Sequence, residues 1–254
     1  MSVSPLERAA ALLSEAKDLV ILTGAGISTE SGIPDFRSPG GIWTKYDPNE
    51  FTYQNFVANR AHRERYWKMS LDIHPVFANA EPNGAHHAVA DLERRGRLRA
   101  LITQNTDGLH QKAGSSPEKL IEIHGTALEV VCLSCGERLS RTEVQARVEA
   151  GEAIPDCRSC GGILKPATIS FGQAMPERET ALAFDHAEHA DVFLVIGSSL
   201  AVRPAADLPV YAVEAAAKLL IVNLTPTPCD RLATIVLRGK ASETMAALLA
   251  AMPS

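Results

Sequence analysis

Short apolar runs separated by helical patterns are the main regularity of this chain. The first run, residues 19–22, has the length and branching of a buried strand. Further runs predict strands at 98–103, 120–123, 192–196, 219–222 and 234–237. Amphipathic helical patterns occur at 1–17, 84–95 and 205–217. Strands that alternate with helices predict an α/β fold with a Rossmann-like, doubly wound parallel sheet.

Polar or glycine clusters follow most of these predicted strands. In an open α/β sheet, ligands bind in the crevice outside the carboxyl ends of the strands, so we expect the clusters to converge there. The clusters are residues 23–24, 103–105, 124–125, 197–199 and 223–225.

Two stretches interrupt the alternation and predict a smaller module inserted into the sheet domain. Residues 41–82 are helical and aromatic, and residues 128–167 contain four of the five cysteines. We therefore expect a helical insertion and a zinc-ribbon insertion to form the small domain together. The remaining segments, 1–40, 83–127 and 168–254, would form the Rossmann-like, ligand-binding domain.

Composition does not change the predicted fold, but it limits the compartment and the kinds of partner that we expect. The 254 residues are 46% hydrophobic and 22% charged, with a formal net charge of -5, which gives no reason to expect a nucleic-acid partner. The first residues are amphipathic rather than signal-like, and no apolar run approaches the roughly 20 residues of a membrane span. Five cysteines without a signal peptide favour a reducing compartment. We expect a cytoplasmic monomer that binds neither nucleic acid nor a membrane.

Four of the cysteines form two C-x2-C pairs, Cys132 with Cys135 and Cys157 with Cys160. Four thiolates complete a tetrahedral site and leave no position open, which favours structural Zn2+ over a catalytic metal. Two disulfides are disfavoured by the expected compartment, and an iron–sulfur cluster is disfavoured by the paired spacing. Cys229 lies apart from this set, and we interpret it as an incidental thiol.

The most informative segment is 24–37, which reads Gly-Ala-Gly-Ile-Ser-Thr-Glu-Ser-Gly-Ile-Pro-Asp-Phe-Arg. A strand that breaks into Gly-x-Gly and then opens a helix offers backbone N–H groups to a phosphate. The Gly-x-Gly alone is weak, because Thr29 replaces the third glycine of the dinucleotide-binding pattern. On these residues alone, an ordinary strand-to-helix turn is the alternative.

Taken together, the motifs resemble those of the sirtuins, the NAD-dependent protein deacylases. Residues 24–37 are similar to that family's first signature, and Thr-Gln-Asn-Thr-Asp-Gly-Leu-His at 103–110 is similar to its second. The motifs that follow in the family's order are His124-Gly125, the cysteine pairs, Phe171-Gly172, Gly197-Ser198-Ser199-Leu200 and Asn223-Leu224. This resemblance spans nearly the whole chain and implies an NAD-dependent protein-lysine deacylase. Its products would be nicotinamide, the deacylated lysine and O-acyl-ADP-ribose.

The resemblance also implies roles for single residues. His124 would be the general base, although a lone histidine is more often a surface or capping residue. Asn105 would act at the nicotinamide ribose and Asp107 on the carboxamide, whereas such residues otherwise cap turns. Substrate peptide would pair as a strand beside Phe171, Gly172, Leu200 and Val202. The NAD-binding residues implied are Gly24, Ala25, Gly26, Thr29, Ile33, Asp35, Phe36, Arg37, Gln104, Asn105, Asp107, Gly197, Ser198, Ser199, Asn223, Leu224 and Ala241.

The residues that depart from the family pattern affect which acyl group the site accepts rather than how the reaction proceeds. Gln173 replaces an acid after Phe-Gly, and Ala167 replaces a polar residue after the preceding proline. Members that prefer acidic acyl groups share a Tyr-x-x-Arg pair, whereas here Tyr66 is followed by Met69. Unless an arginine of the same helical segment takes that place, no cation stands beside Tyr66. We therefore expect acetyl and other uncharged acyl groups to be preferred over succinyl or malonyl.

Two other functions are compatible with these motifs. The first is a mono-ADP-ribosyltransferase, which has less need of the base that His124 provides. The second is a regulatory protein that binds NAD only to sense it, which the full set of catalytic positions disfavours.

Overall fold

Nine strands form two sheets in the computed structural model, which describes residues 3–36 and 39–252. The strands are β1 (Leu19–Thr23), β2 (Leu98–Thr103), β3 (Leu120–Glu122), β4 (Gly125–Cys132), β5 (Arg138–Ser140), β6 (Leu164–Thr168), β7 (Val192–Ile196), β8 (Lys218–Val222) and β9 (Ile235–Leu237). Six of them form one sheet in the order β3-β2-β1-β7-β8-β9, and every pair in it is parallel. The predicted parallel sheet is confirmed.

Helices cover both faces of this sheet. They are α1 (Pro5–Glu15), α2 (Tyr53–Ala58), α3 (Arg60–Asn79), α4 (Gly84–Arg94), α5 (Leu109–Lys112), α6 (Arg141–Glu149), α7 (Glu177–Glu188), α8 (Leu208–Glu214) and α9 (Ala241–Ala251). On one face, Leu19 and Ile21 of β1 pack with apolar residues of α1, α4 and α9. On the other face, Val20 and Leu22 pack with α7 and α8. All five β1 residues are buried, so this strand reads as a continuous apolar run rather than an alternating one.

The second sheet is antiparallel, with β4 between β5 and β6. A separate apolar cluster joins it to two helices of the inserted segments. In this cluster Trp67 of α3 packs with Val144 of α6, with Val130 of β4 and with Leu164 of β6. The aromatic segment and the cysteine-rich segment therefore share one small core.

Local sequence signals explain where several helices begin. Ser4 caps α1 in a capping box with Glu7, and Asn83 caps α4, as its pattern predicts. The predicted helix at 205–217 is a short 3-10 turn followed by α8. No helix in the described ranges is both long enough and apolar enough to cross a membrane.

Two local predictions are wrong. The Gly-x-Gly after β1 does not open an α-helix but leads into two 3-10 turns, Ala25–Ile27 and Thr29–Ser31. The reason is that Gly26 donates its N–H to the Gly197 carbonyl at 2.8 Å, which ties the segment to a neighbouring loop. The pattern also did not predict the three strands of the second sheet, β4, β5 and β6.

Candidate functional site

The main sheet has its topological switch point at β1. From there the chain adds β2 and β3 on one side of β1 and later adds β7, β8 and β9 on the other side. Crevices at such switch points, outside the carboxyl ends of the strands, are the usual ligand sites of open α/β sheets. A cavity of about 1070 Å³ opens at this edge and extends between the main sheet and the small module.

The cavity brings together most residues that the sequence singled out. Its wall contains His124, the substrate candidates Phe171, Gly172 and Val202, and the described NAD-binding candidates. These candidates are Gly24, Ala25, Gly26, Thr29, Ile33, Asp35, Phe36, Gln104, Asn105, Asp107, Gly197, Ser198, Ser199, Asn223, Leu224 and Ala241. Arg37 lies outside the described residues. Leu200 is not part of the described cavity wall, because its side chain is buried in the core beneath the sheet.

The loops after β1 and β7 meet with no room for side chains between them. A Cβ atom on Gly26 would lie 2.7 Å from the carbonyl oxygen of Gly197, and one on Gly24 would lie 2.9 Å from the Ser198 Cβ. Gly197 itself has a φ of 62°, in the left-handed region that favours glycine. The glycines therefore allow two loops to pack together and line one cavity.

A buried hydrogen-bond network lines the cavity floor. The Ser28 hydroxyl donates to Asp107 Oδ2 at 2.7 Å and accepts from the Asn105 amide at 3.0 Å. The Leu109 N–H donates to Asp107 Oδ1 at 3.0 Å, so Asp107 also serves the start of α5 as a cap. Burial raises the pKa of Asp107, and these donors oppose that shift. Both Asn105 and Asp107 are thus held in fixed orientations.

Two buried histidines lie behind this network. The rings of His86 and His110 are 5.0 Å apart, and His86 Nε2 lies 3.4 Å from the Ser28 hydroxyl. His110 Nε2 lies 2.9 Å from the Thr23 hydroxyl. Burial lowers the pKa of His86 to about 4 and that of His110 to about 3, so both are neutral near pH 7.

The geometry of His124 defines which ring nitrogen can act as a base. Its Nδ1 lies 3.1 Å from the Gln104 carbonyl oxygen, which accepts only if Nδ1 carries the proton. Nε2 then holds the lone pair. Burial lowers the pKa of His124, and the bond to Gln104 partly offsets this. The imidazole is therefore neutral and able to accept a proton at Nε2 in neutral solution.

Polar groups at the far end of the cavity are also held in place. The Gln104 amide donates to the Ser198 hydroxyl at 2.8 Å, which links the ends of β2 and β7. The Asn223 amide donates to the Thr225 carbonyl at 2.8 Å and closes the loop after β8. Leu224 next to it is 67% exposed, which is unusual for a leucine in a folded chain.

Exposed aromatic side chains stand over the cavity. The Phe36 and Phe171 rings each pack against Trp43, at centroid distances of 5.6 and 6.1 Å. The Phe171 carbonyl accepts from the Tyr53 N–H at 2.9 Å, and the Gly172 carbonyl accepts from the Gln54 amide at 2.8 Å. Helix α2 of the small module thus fixes the segment that the sequence assigns to substrate.

The four paired cysteines converge in the small module. Their Sγ atoms all lie within 4.8 Å of one another, although the two pairs come from distant parts of the chain. Gly136 and Gly161 have φ of 76° and 71°, which permits the tight turns after each pair. A Cβ on Gly162 would lie 2.8 Å from Cys132 Sγ. This set of four thiol donors fits a tetrahedral Zn2+.

Sequence reasoning missed two participants in the site. Ser28 was not selected, although it joins Asn105 to Asp107, because a serine in a glycine-rich loop carries no signal of its own. Arg141 also lines the cavity, from helix α6 of the cysteine-rich segment. Its position follows from the packing of α6 on α3, which no local pattern reports.

Comparison with known proteins gives a consistent result. The Sir2 family model matches residues 24–204. "NAD-dependent protein deacetylase 2" of Streptomyces coelicolor is 47% identical over 234 residues, which are 91% of this chain and 96% of the relative. The solved structure "Sir2-p53 peptide-NAD+" matches with a TM-score of 0.88 at 37% identity, covering 96% of this chain and 97% of that one. Sir2Tm bound to a propionylated peptide matches with a TM-score of 0.88 at 36% identity and the same coverage.

Proposed function

Since the chain belongs to the Sir2 family, we propose that it is an NAD-dependent protein-lysine deacylase. Acyl-lysine, NAD and water are converted to lysine, nicotinamide and O-acyl-ADP-ribose, and NAD is consumed as a co-substrate. The observation that carries this proposal is the orientation of His124. Its Nδ1 is bonded to the Gln104 carbonyl and its ring lines the cavity that Asn105 and Asp107 also line.

Nicotinamide binds in the part of the cavity lined by Ile33, Asn105 and Asp107. The Asp107 carboxylate is an acceptor for the carboxamide N–H, and Ser28 and Leu109 hold it in that orientation. The acyl oxygen of the substrate then attacks the ribose carbon that bears nicotinamide, and nicotinamide departs. Asn105 faces the ribose during this step, and the exposed ring of Phe36 shields the reacting carbon from water.

His124 acts in the second stage. Nε2 accepts the proton of a ribose hydroxyl, and that oxygen attacks the acyl carbon. Water then completes the release of lysine and of the acylated ADP-ribose. A neutral imidazole with a lowered pKa suits this role, because the base is already unprotonated in neutral solution.

The remaining contacts divide between NAD and peptide. Backbone N–H groups of the 24–26 and 197–199 loops, with Arg37, take the phosphates, and Asn223, Leu224 and Ala241 take the adenosine. The peptide adds as a strand between the Phe171-Gly172 and Leu200–Pro204 segments, so recognition depends on the peptide backbone rather than on its sequence. Leu200 contributes through its backbone, since its side chain belongs to the core.

Cys132, Cys135, Cys157 and Cys160 would hold Zn2+, which would cross-link the small module without taking part in the reaction. We propose that 41–82 and 128–167 form the module and that the remaining segments form the NAD-binding domain. Because cysteines that serve as metal ligands must stay reduced, we also propose a reducing, cytoplasmic location. We further propose that the protein acts as a monomer on protein substrates, without nucleic acid or membrane.

The test is to follow nicotinamide release with NAD alone, with an acetyl-lysine peptide alone, and with both. We expect release only with both, and a mass spectrum should show O-acetyl-ADP-ribose as the product. Nicotinamide release that is equal without peptide would identify an NAD glycohydrolase. ADP-ribose attached to protein would identify a transferase, and NAD binding without turnover would identify a sensor.

A further inference from the structure

A buried arginine stands in the cavity wall and has no part in the reaction above. Arg141 begins α6, its residue surface is 8% exposed, and it lines the cavity together with Tyr66 and Met69 of α3. Ser70 and Ile73 of α3 line the same region. The guanidinium therefore lies against helix α3. This is the helix whose sequence predicts no cation for the acyl pocket.

A short chain of contacts connects this region with the proposed base. Burial raises the pKa of the Tyr66 hydroxyl, and the charge of Arg141 opposes that shift. Tyr66 lines the cavity together with Thr168 of β6. The next residue, Ile169, donates its N–H to the His124 carbonyl at 2.8 Å and also lines the cavity. An acyl group held near His124 therefore lies in the same cavity whose wall Tyr66 and Arg141 also line.

The charge of Arg141 is not matched by a carboxylate. Among the described residues, no ion pair within 4.0 Å involves Arg141. Its Nη2 donates to Gln145 Oε1 at 3.0 Å, and its Cζ lies 5.1 Å from the centre of the Trp67 ring. Glu149 accepts from Gln145 at 3.3 Å rather than from Arg141.

One N–H group of Arg141 has no acceptor at all. Nη1 is buried and lacks a hydrogen-bond partner in the described structure. A buried donor without a partner is unfavourable, and a guanidinium stays charged even when it is buried. An anion bound at Nη1 would satisfy both the donor and the charge. Guanidinium and carboxylate match in geometry, with two parallel donors meeting two oxygens. Arg141 lines the cavity, so an anion bound there would meet this side chain.

Resting on the deacylase function proposed above, we propose that Arg141 binds the terminal carboxylate of an acidic acyl chain. The enzyme then removes dicarboxylic acyl groups, such as succinyl and malonyl, as well as acetyl. The expectation that no cation stands beside Tyr66 is wrong, because Arg141 reaches the pocket from a different element. It therefore takes the place that Met69 leaves uncharged.

The test compares three peptides of one sequence, with acetyl-lysine, succinyl-lysine, or the neutral terminal amide of succinyl-lysine. Succinyl and its amide have nearly the same size, so their ratio of kcat/KM reports the charge alone. We expect the wild-type enzyme to prefer succinyl over the amide by about tenfold to a hundredfold, the range for a charge-assisted hydrogen bond. Acetyl activity in the same assay reports the deacylase function independently.

Three variants separate a specificity role from a structural one. In Arg141→Gln the succinyl-to-amide ratio should fall to about one, and Arg141→Lys should retain part of the preference. Arg138→Gln is the matched control, since Arg138 lies on β5, pairs with Glu129 and is not part of the cavity wall as described. It should keep the wild-type ratio.

The outcomes are distinct. Deacetylation with a succinyl-to-amide ratio near one in the wild type would overturn the role of Arg141 and leave the deacylase function standing. A succinyl-to-amide ratio near one in an Arg141→Gln variant that still deacetylates, with part of the preference retained in Arg141→Lys and both melting temperatures unchanged, supports the proposal. An unchanged ratio in a folded Arg141→Gln refutes it. Absence of deacetylation in the wild type would instead contradict the proposed function itself.

Discussion

Replacing His124 by alanine tests the proposed mechanism most directly. The variant loses the base that accepts the ribose hydroxyl proton, and it leaves the Gln104 carbonyl without the Nδ1–H donor. General-base catalysis contributes about 10²- to 10⁴-fold, so kcat/KM for deacetylation should fall at least a hundredfold, or about 2.7 kcal/mol in activation free energy. Cleavage of nicotinamide precedes the proton transfer, so exchange of labelled nicotinamide into NAD should fall much less.

The pH dependence of the wild type tests the same residue without substitution. A base must be unprotonated to act, and burial lowers the pKa of His124 from its ordinary value of 6.5. The acid limb of kcat/KM should therefore lie below pH 6.5, and activity should be constant with respect to this group at higher pH. Below that pKa, activity should fall about tenfold per pH unit, as for loss of one essential unprotonated group.

The assay is deacetylation of one peptide from pH 5 to 8, with nicotinamide exchange measured in parallel. His189→Ala is a suitable control, because His189 is exposed directly after α7 and, in the described part of the chain, its side chain bonds to Asp185 of that helix. Deacetylation retained in a folded His124→Ala variant would refute the reasoning. So would an acid limb above pH 6.5 that disappears in that variant.

Four further predictions follow from other parts of the structure. Metal analysis should give about one zinc per chain, lost with a lowered melting temperature in Cys157→Ser but retained in Cys229→Ser; iron, or an active metal-free protein, would contradict this. Gly26→Ala should raise KM for NAD and destabilise the fold by about 1–3 kcal/mol, because its Cβ would lie 2.7 Å from a backbone oxygen; equal KM in a stable variant would exclude that clash. Ser28→Ala should lower kcat/KM about tenfold or more with the fold intact, because Asp107 loses a donor; wild-type kinetics would show that the network is dispensable. As pH falls from 6.5 towards 4, the free energy of unfolding should decrease by up to about 1.4 kcal/mol per pH unit for each of the buried His86 and His110. The reason is that the unfolded chain binds protons that the folded chain excludes. A flat pH profile in urea titrations would contradict the lowered pKa values of these histidines.

The main sheet could be predicted because its determinants are local. Each parallel strand is buried on both faces, so an apolar run such as that of β7 is visible without knowledge of its neighbours. Strand β4 lies partly outside the core, and six of its eight positions are not fully buried. Its place is fixed by pairing with β5, which follows a cysteine turn, and with β6, which follows helix α6 and the second cysteine pair. Such a strand carries no strong local pattern.

The site was predictable to the extent that it consists of strand ends. Parallel strands bring their carboxyl ends to one edge, so the clusters after β1, β2, β7 and β8 had to meet once the sheet formed. The residues that orient these clusters could not be found in this way. Ser28 and Arg141 acquire their roles from contacts with distant segments, and neither differs in its local sequence from a surface serine or arginine.

The polar groups beneath the proposed nicotinamide pocket explain why the site can be rigid without a ligand. Thr23 donates to Thr103 at 2.8 Å, and Thr103 accepts from the Asn105 N–H at 3.1 Å. From Asn105 the chain of hydrogen bonds passes through Ser28 to Asp107. These bonds join the ends of β1 and β2, so stability of the sheet edge and orientation of the catalytic groups depend on the same contacts. Donors and acceptors fixed before substrate arrives need no reorganisation during the reaction, which is the condition under which such groups contribute most to catalysis.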